Sequence, residues 1–175
     1  RQTAAHSPED FVNSFGQRLR ALAANQDLLV NNEWQPVGIR GLVESQLELF
    51  GTIGSRIRLA GPSLKIVPSA AQTLSLALHE LATNAIKYGS LKGDTGKVDV
   101  WWQIDDDKFV MTWQECGGPE VTEPKTLGFG TTVLENLTAT AMNGEIEIEV
   151  APDGLVWTLR CPISMLLKDP DSDAG

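Results

Sequence analysis

A chain of 175 residues that is 42% apolar can bury most of its nonpolar surface as one domain of ordinary size, so zinc fingers and small disulfide-stapled scaffolds are excluded. With 14 Lys and Arg against 23 Asp and Glu the net charge is −9, which excludes nonspecific binding to nucleic acid, because a phosphate backbone must be met by clustered cations. Any anionic ligand must therefore be held locally. Cys116 and Cys161 have neither metal-ligand spacing nor a disulfide framework, and are expected as buried thiols in a reducing cytosol. Residues 1–5 lack the apolar core of a signal peptide, and no stretch approaches the ~20 apolar residues of a membrane span, so the expected location is cytoplasmic. The chain opens on Arg1-Gln2 without a Met, as a fragment cut from a longer protein does.

Ser7-Pro8-Glu9-Asp10 combines an N-cap hydroxyl, a proline at the first helical position and two acids in the first turn, which predicts a helix over residues 7–29. Phe11, Phe15, Leu19, Leu22 and Leu29 recur on it at three- and four-residue steps, with Gln26 interrupting. That stripe needs a partner, either the rest of this domain or a helical hairpin or dimer seam. Asn31-Asn32 breaks the pattern and sets a boundary near Asn32. A second amphipathic helix fits residues 39–50, with Leu42, Val43, Leu47 and Phe50 on one side. Short strand-like runs at 56–59 and 64–67 flank the Gly61-Pro62 turn, and Pro68-Ser69 opens a long helix ending at Gly89.

Val98, Val100, Trp102 and Ile104 then alternate with polar neighbours, Asp105-Asp106-Asp107 turns the chain, and Phe109, Met111 and Trp113 return, which is a hairpin. The pattern repeats at Ile146, Ile148 and Val150, the Pro152-Asp153-Gly154 turn, and Leu155, Trp157 and Leu159. Between the hairpins lies a Gly- and Pro-containing loop over 117–130, followed by a helix over about 131–142. The acidic tail from 167 to 175 is expected to be disordered. One helical layer over one sheet makes the expected fold class a two-layer α/β sandwich, preceded by a helical segment.

Chemistry concentrates on the long helix. Leu74, Leu78, Leu81 and Ala85 form its buried stripe, while Glu80, Asn84 and Lys87 fall at i, i+4 and i+7 as a polar stripe beside it. Such a stripe is either a solvated face or the mouth of a cleft, where an amide oxygen for Mg²⁺, an ammonium for phosphate and a carboxylate as proton acceptor suit a nucleotide. A second element is glycine-rich: Glu115-Cys116-Gly117-Gly118-Pro119 closes a strand, and Gly128-Phe129-Gly130-Thr131-Thr132 opens a helix whose free N–H groups can meet an anion. It matches neither the P-loop nor the dinucleotide fingerprint.

Taken in order, His79-Glu80-Leu81-Ala82-Thr83-Asn84-Ala85-Ile86-Lys87-Tyr88-Gly89, then Trp113-Gln114-Glu115-Cys116-Gly117-Gly118-Pro119, then Gly128-Phe129-Gly130 resemble the N box and the two glycine boxes of a bacterial sensor histidine kinase. Its catalytic domain has the Bergerat-type ATP-binding fold shared with gyrase, heat-shock chaperone and mismatch-repair ATPases. His79, Trp113 and Glu115 resemble the residues for which the HWE subfamily is named.

The resemblance implies ATP and Mg²⁺ as cofactors, with Asn84 as the metal ligand and Glu80 as the catalytic base or polarising residue. It places Lys87 and Tyr88 near the phosphates and ribose, and makes Glu115 the acceptor for the adenine amino group where most such kinases have an aspartate. Gly117 would belong to the nucleotide site, and Gly128, Gly130 and the N–H groups around Thr131 and Thr132 would hold phosphate at the helix start, with the loop between as a mobile lid. His79 and Trp113 are either packing residues between helix and sheet or direct contacts to ATP. By the same resemblance, residues 1–31 hold part of the dimerisation and phosphotransfer helices, 32–166 the ATP-binding domain and 167–175 a tail. His6 falls in a connecting loop, the phosphoacceptor histidine is expected upstream of Arg1, and the fragment is expected to bind Mg-ATP without autophosphorylating. The implied partners are a response-regulator receiver domain, an upstream sensor domain and a second copy through the N-terminal helix. The rival readings are an anti-sigma-type serine kinase and a pseudokinase or interaction module of the same fold.

Overall fold

The computed structural model describes residues 35–119 and 133–167; the helix expected over 7–29, the segment with Gly128, Gly130, Thr131 and Thr132, and the tail from 168 onward lie outside the described residues. The first described elements are β1 (Val37–Gly38) and α1 (Ile39–Glu48), followed by a 3₁₀ turn (Gly51–Arg56). Next come β2 (Ile57–Ala60), β3 (Lys65–Ile66) and the long helix α2 (Pro68–Lys87). A hairpin follows, β4 (Lys97–Asp105) and β5 (Lys108–Cys116). A π-helical turn (Val133–Leu137) runs into α3 (Thr138–Ala141), and β6 (Glu145–Ala151), β7 (Gly154–Pro162) and α4 (Ser164–Leu167) close the described chain.

Proline at the start of α2 gives up an N–H that has no helical partner there, and Val67 before it is extended, as a residue preceding proline is driven to be. The helix buries Leu74, Leu78, Leu81 and Ala85, the stripe that the 3.6-residue period predicts. In α1 the buried set is Ile39, Leu42, Val43, Gln46 and Leu47, so a glutamine occupies a place in an apolar face.

A mixed sheet in the order β2-β4-β5-β7-β6 lies under these helices. β2 runs parallel to β4, with Ile57 opposite Val98, and every other pairing is antiparallel. Register sorts the side chains into rows across the sheet. Val100, Trp113 and Trp157 align, as do Trp102, Met111 and Leu159, and all six are buried. They face the helical layer because the strand period of two puts alternate residues on one side. The opposite side carries exposed ion pairs, Arg58 to Asp99 at 2.6 Å and Arg160 to Glu147 at 3.0 Å. The architecture is the expected two-layer α/β sandwich.

Four details differ from the sequence expectation. Ile104, expected on the buried side of its strand, is exposed although its partner Phe109 is buried, since it lies past Trp101, where the pairing of β2 with β4 ends. Val150 is exposed for a related reason, lying near the turn of the outer hairpin. Cys161 is buried as expected, but Cys116 at the end of β5 is only half-buried; both are free thiols. Leu167 closes α4, so the first residue assigned to the tail is helical.

Gly61 has φ +156, and a Cβ there would collide with the Trp102 indole, whose Nε1–H donates to the Pro62 carbonyl at 2.8 Å. The turn after β2 is thereby fixed against the core. Among the described residues no helix is long and apolar enough to cross a membrane.

Candidate active site

Glu115 continues the row Phe109, Met111, Trp113 along β5 by one more step of two, so its carboxylate emerges on the side of the sheet that faces the helices. It is 3% exposed. The Ser90 N–H donates to its Oε2 at 3.0 Å, and the Trp113 indole N–H donates to Oε1 at 3.3 Å. Burial pushes the Glu115 carboxyl above its ordinary value, and these donors pull it partly back. A carboxylate that accepts two hydrogen bonds keeps lone pairs for another donor.

Glycines allow the surrounding backbone to close on this group. A Cβ on Gly89 would sit on Glu115 Oε2, and one on Gly154 would come within 2.7 Å of the Glu115 carbonyl oxygen. Gly118 presses against Ser90 and Gly96 against the Ser90 carbonyl in the same manner. Gly117 has φ +70, a left-handed conformation that favours glycine.

The polar stripe of α2 runs toward the helix end that meets Glu115 through Gly89 and Ser90, and it grades from buried to exposed along the way. Glu80 is buried, Asn84 half-buried, Lys87 exposed and Tyr88 54% exposed. Two main-chain N–H groups, of Tyr88 and Gly89, donate to the Asn84 carbonyl at 2.8 and 3.1 Å and end the helix, which turns the chain directly into Ser90. The stripe and Glu115 are thus joined by one short segment. His79 is buried, and its ring lies 5.5 Å from that of Phe50 just beyond α1, so it packs toward the other helix. Trp113 is buried in the sheet layer and orients Glu115.

Of the residues singled out in the sequence, Glu80, Asn84, Lys87, Tyr88, Glu115 and Gly117 belong to α2, its C-terminal turn and the end of β5. Gly128, Gly130, Thr131 and Thr132 lie outside the described residues. Sequence reasoning misses Ser90, Gly96, Gly154 and Arg56. Arg56 donates to the carbonyls of Gly96 at 2.8 Å, Gly93 at 2.6 Å and Ser90 at 3.2 Å. The alternation through β5 carries a signal for the burial of Glu115, but no local pattern links Arg56 to partners so distant in the chain.

The family model for the histidine kinase-like ATPase domain matches residues 45–153, and this is the class that the sheet, the long helix and the glycine-lined carboxylate define. The HWE histidine kinase model matches residues 1–63, and the chain belongs to the HWE histidine kinases. A blue-light-activated histidine kinase of Brucella anthropi is 38% identical over 165 residues, which are 91% of this chain and 34% of that protein. The chain thus spans about a third of the length of the curated relatives it matches. Among solved structures, the histidine kinase domain of the Erythrobacter litoralis EL346 blue-light activated histidine kinase superposes with a TM-score of 0.67 at 13% identity, over 89% of this chain and 79% of that one. The histidine kinase ThkA in complex with the response regulator protein TrrA superposes with a TM-score of 0.59 at 16% identity, over 93% of this chain and 54% of that one. Likenesses at such identities establish the fold.

Proposed function

We propose that the chain is the catalytic region of a two-component sensor kinase, which binds Mg-ATP between α2 and the glycine-lined end of β5 and delivers the γ-phosphoryl to a histidine, for relay to an aspartate of a response-regulator receiver domain. The observation that carries the reading is the Glu115 carboxylate, buried yet held by donors that leave acceptor capacity for an adenine amino group. The family membership supports it. Residues 1–31 would belong to the dimerisation and phosphotransfer helices, with a seam to a second copy, and 32–166 to the ATP-binding unit under an upstream sensor domain.

The donor chemistry fits Mg²⁺, since the Asn84 amide oxygen and the Glu80 carboxylate are hard oxygen donors, and this ion is commonly held by one or two protein oxygens plus substrate phosphates. When bound, the ion neutralises charge on the phosphates. Asn84 would hold it, while Lys87 and Tyr88, exposed at the end of the helix, would face the phosphates and ribose. Glu80, one helical turn deeper, would accept the proton of the attacking imidazole or polarise it. Gly117 would bring main chain close to the nucleotide, and Gly128, Gly130, Thr131 and Thr132 would offer N–H groups to the phosphates. The Phe50 contact favours His79 as a packing residue behind Glu80 over a direct contact to ATP.

ATP is titrated into the chain with and without Mg²⁺, beside Asn84→Ala and Glu80→Gln, following tryptophan fluorescence. Metal-dependent binding in the parent chain is expected, weakened at least about tenfold in Asn84→Ala, as loss of a charge-assisted contact implies. Glu80→Gln is expected to keep nucleotide affinity and to slow transfer once an acceptor histidine is supplied. Unchanged Mg-ATP affinity in Asn84→Ala rejects the metal assignment, and no binding in any of them leaves an interaction module of the same fold.

A further inference from the structure

Arg56 closes the 3₁₀ turn just before β2, far in sequence from the residues it touches. Its guanidinium grips the loop that leads from α2 to β4. Nε donates to the Gly96 carbonyl, one terminal nitrogen to Gly93 and the other to Ser90. Five N–H donors in a rigid plane can satisfy several acceptors at once, which an ammonium cannot do with the same geometry. The loop is drawn so tightly that Gly96 meets the Ser90 carbonyl with no room for a Cβ, and Gly118 packs on Ser90 from the other side. The peptide unit on the Ser90 carbonyl is thus fixed from one end by Arg56, while the buried Ser90 N–H donates to Glu115 Oε2. Trp113 holds the other carboxylate oxygen.

We infer that Arg56 is a positioning residue for base recognition: by holding the loop over residues 89–96 closed, it keeps the Ser90 N–H on one oxygen of Glu115 and so aims the carboxylate at the amino group of the base. The inference rests on the proposed role of Glu115 as acceptor for adenine. Arg56 touches no nucleotide in this scheme. Its effect is therefore confined to the base, and binding of the phosphates through α2 is left intact.

The test compares ATP with inosine triphosphate, which replaces the exocyclic amino group by a carbonyl oxygen, in the parent chain, Arg56→Lys and Arg56→Ala, all with Mg²⁺. Exchange of the Ser90 amide hydrogen is followed in the same proteins without nucleotide. The parent chain is expected to prefer ATP by about ten- to a hundredfold, the range for a hydrogen bond to a charged group. In both variants the preference should shrink toward about threefold through weaker ATP binding, with inosine triphosphate affinity unchanged and the Ser90 amide exchanging faster. Arg56→Lys keeps the charge without the fork, so a folded protein that has lost discrimination is the supporting result. Retention of the parent preference in Arg56→Lys overturns the inference, as does an equal loss for both nucleotides, which marks Arg56 as a purely structural residue. A parent chain that binds both nucleotides equally refutes Glu115 as the base acceptor, and the inference falls with it.

Discussion

Glu115 is where the physical constraints on this site meet. Its carboxyl is shifted above the ordinary 4.5 chiefly by burial, against the pull of the Ser90 and Trp113 donors. The folded chain therefore holds this proton more tightly than the unfolded chain does. The stabilisation from that proton is complete at pH below 4.5 and is lost as pH rises through the folded-state value. Urea unfolding of the parent chain and of Glu115→Gln between pH 4 and 8 should thus show the parent losing stability relative to the variant as pH rises. A gap that moves the other way would mean that the donors outweigh burial. ATP affinity should change oppositely, strengthening with pH as the carboxylate form becomes available to accept the amino group.

At the scale of elements, α1 carries the most exposed flaw in an otherwise apolar stripe. Gln46 is 1% exposed, and neither its amide oxygen nor its nitrogen has a hydrogen-bond partner among the described residues. A buried polar group without a partner costs about 1–3 kcal/mol, so Gln46→Leu should raise the stability of the chain by roughly that amount in chemical denaturation. A lower urea midpoint would show that the amide is in fact satisfied.

Periodicity makes α2 and both hairpins legible in the amino-acid sequence, because their apolar residues repeat at the helical and strand periods over long enough runs. It places Leu74, Leu78, Leu81 and Ala85 inside, where they are. It fails at Ile104, since period describes which side a residue faces and not whether a neighbouring strand extends that far. Nor does it foresee the π-helical turn over Val133–Leu137, a backbone irregularity without a signature in the apolar pattern. Glu80, Asn84 and Lys87 are legible as a stripe, whereas their graded exposure depends on how α2 ends. The Arg56 clamp is illegible because it joins segments far apart in the chain, brought together by tertiary contacts such as the parallel pairing of β2 with β4.

For the whole molecule, the outer positions of the sheet belong to β2 and β6. β6 alternates Glu145, Glu147 and Glu149 with apolar residues, and all three glutamates are exposed. Among the described strands β6 is an edge, and charges along an edge discourage further strands from adding to it. Replacing all three by threonine is expected to leave the hairpin intact and to promote self-association at higher protein concentration, measured by light scattering. A variant that stays at the parent's size would assign protection of this edge to something other than its charges.

The seam between β5 and β7 has a consequence for how such a protein can diverge. It is an antiparallel ladder running from Lys108 opposite Pro162 to Gln114 opposite Val156, and each of its strands is also held by its own hairpin partner. Among the described residues, the register of the sheet is thus carried by the strands themselves and not by the connection between β5 and the π-helical turn. Lengthening such a connection costs only about 0.6 kcal/mol for each doubling, from the logarithmic growth of closure entropy. Insertions and deletions can accumulate there across lineages while the strands on either side remain in step, at little thermodynamic expense.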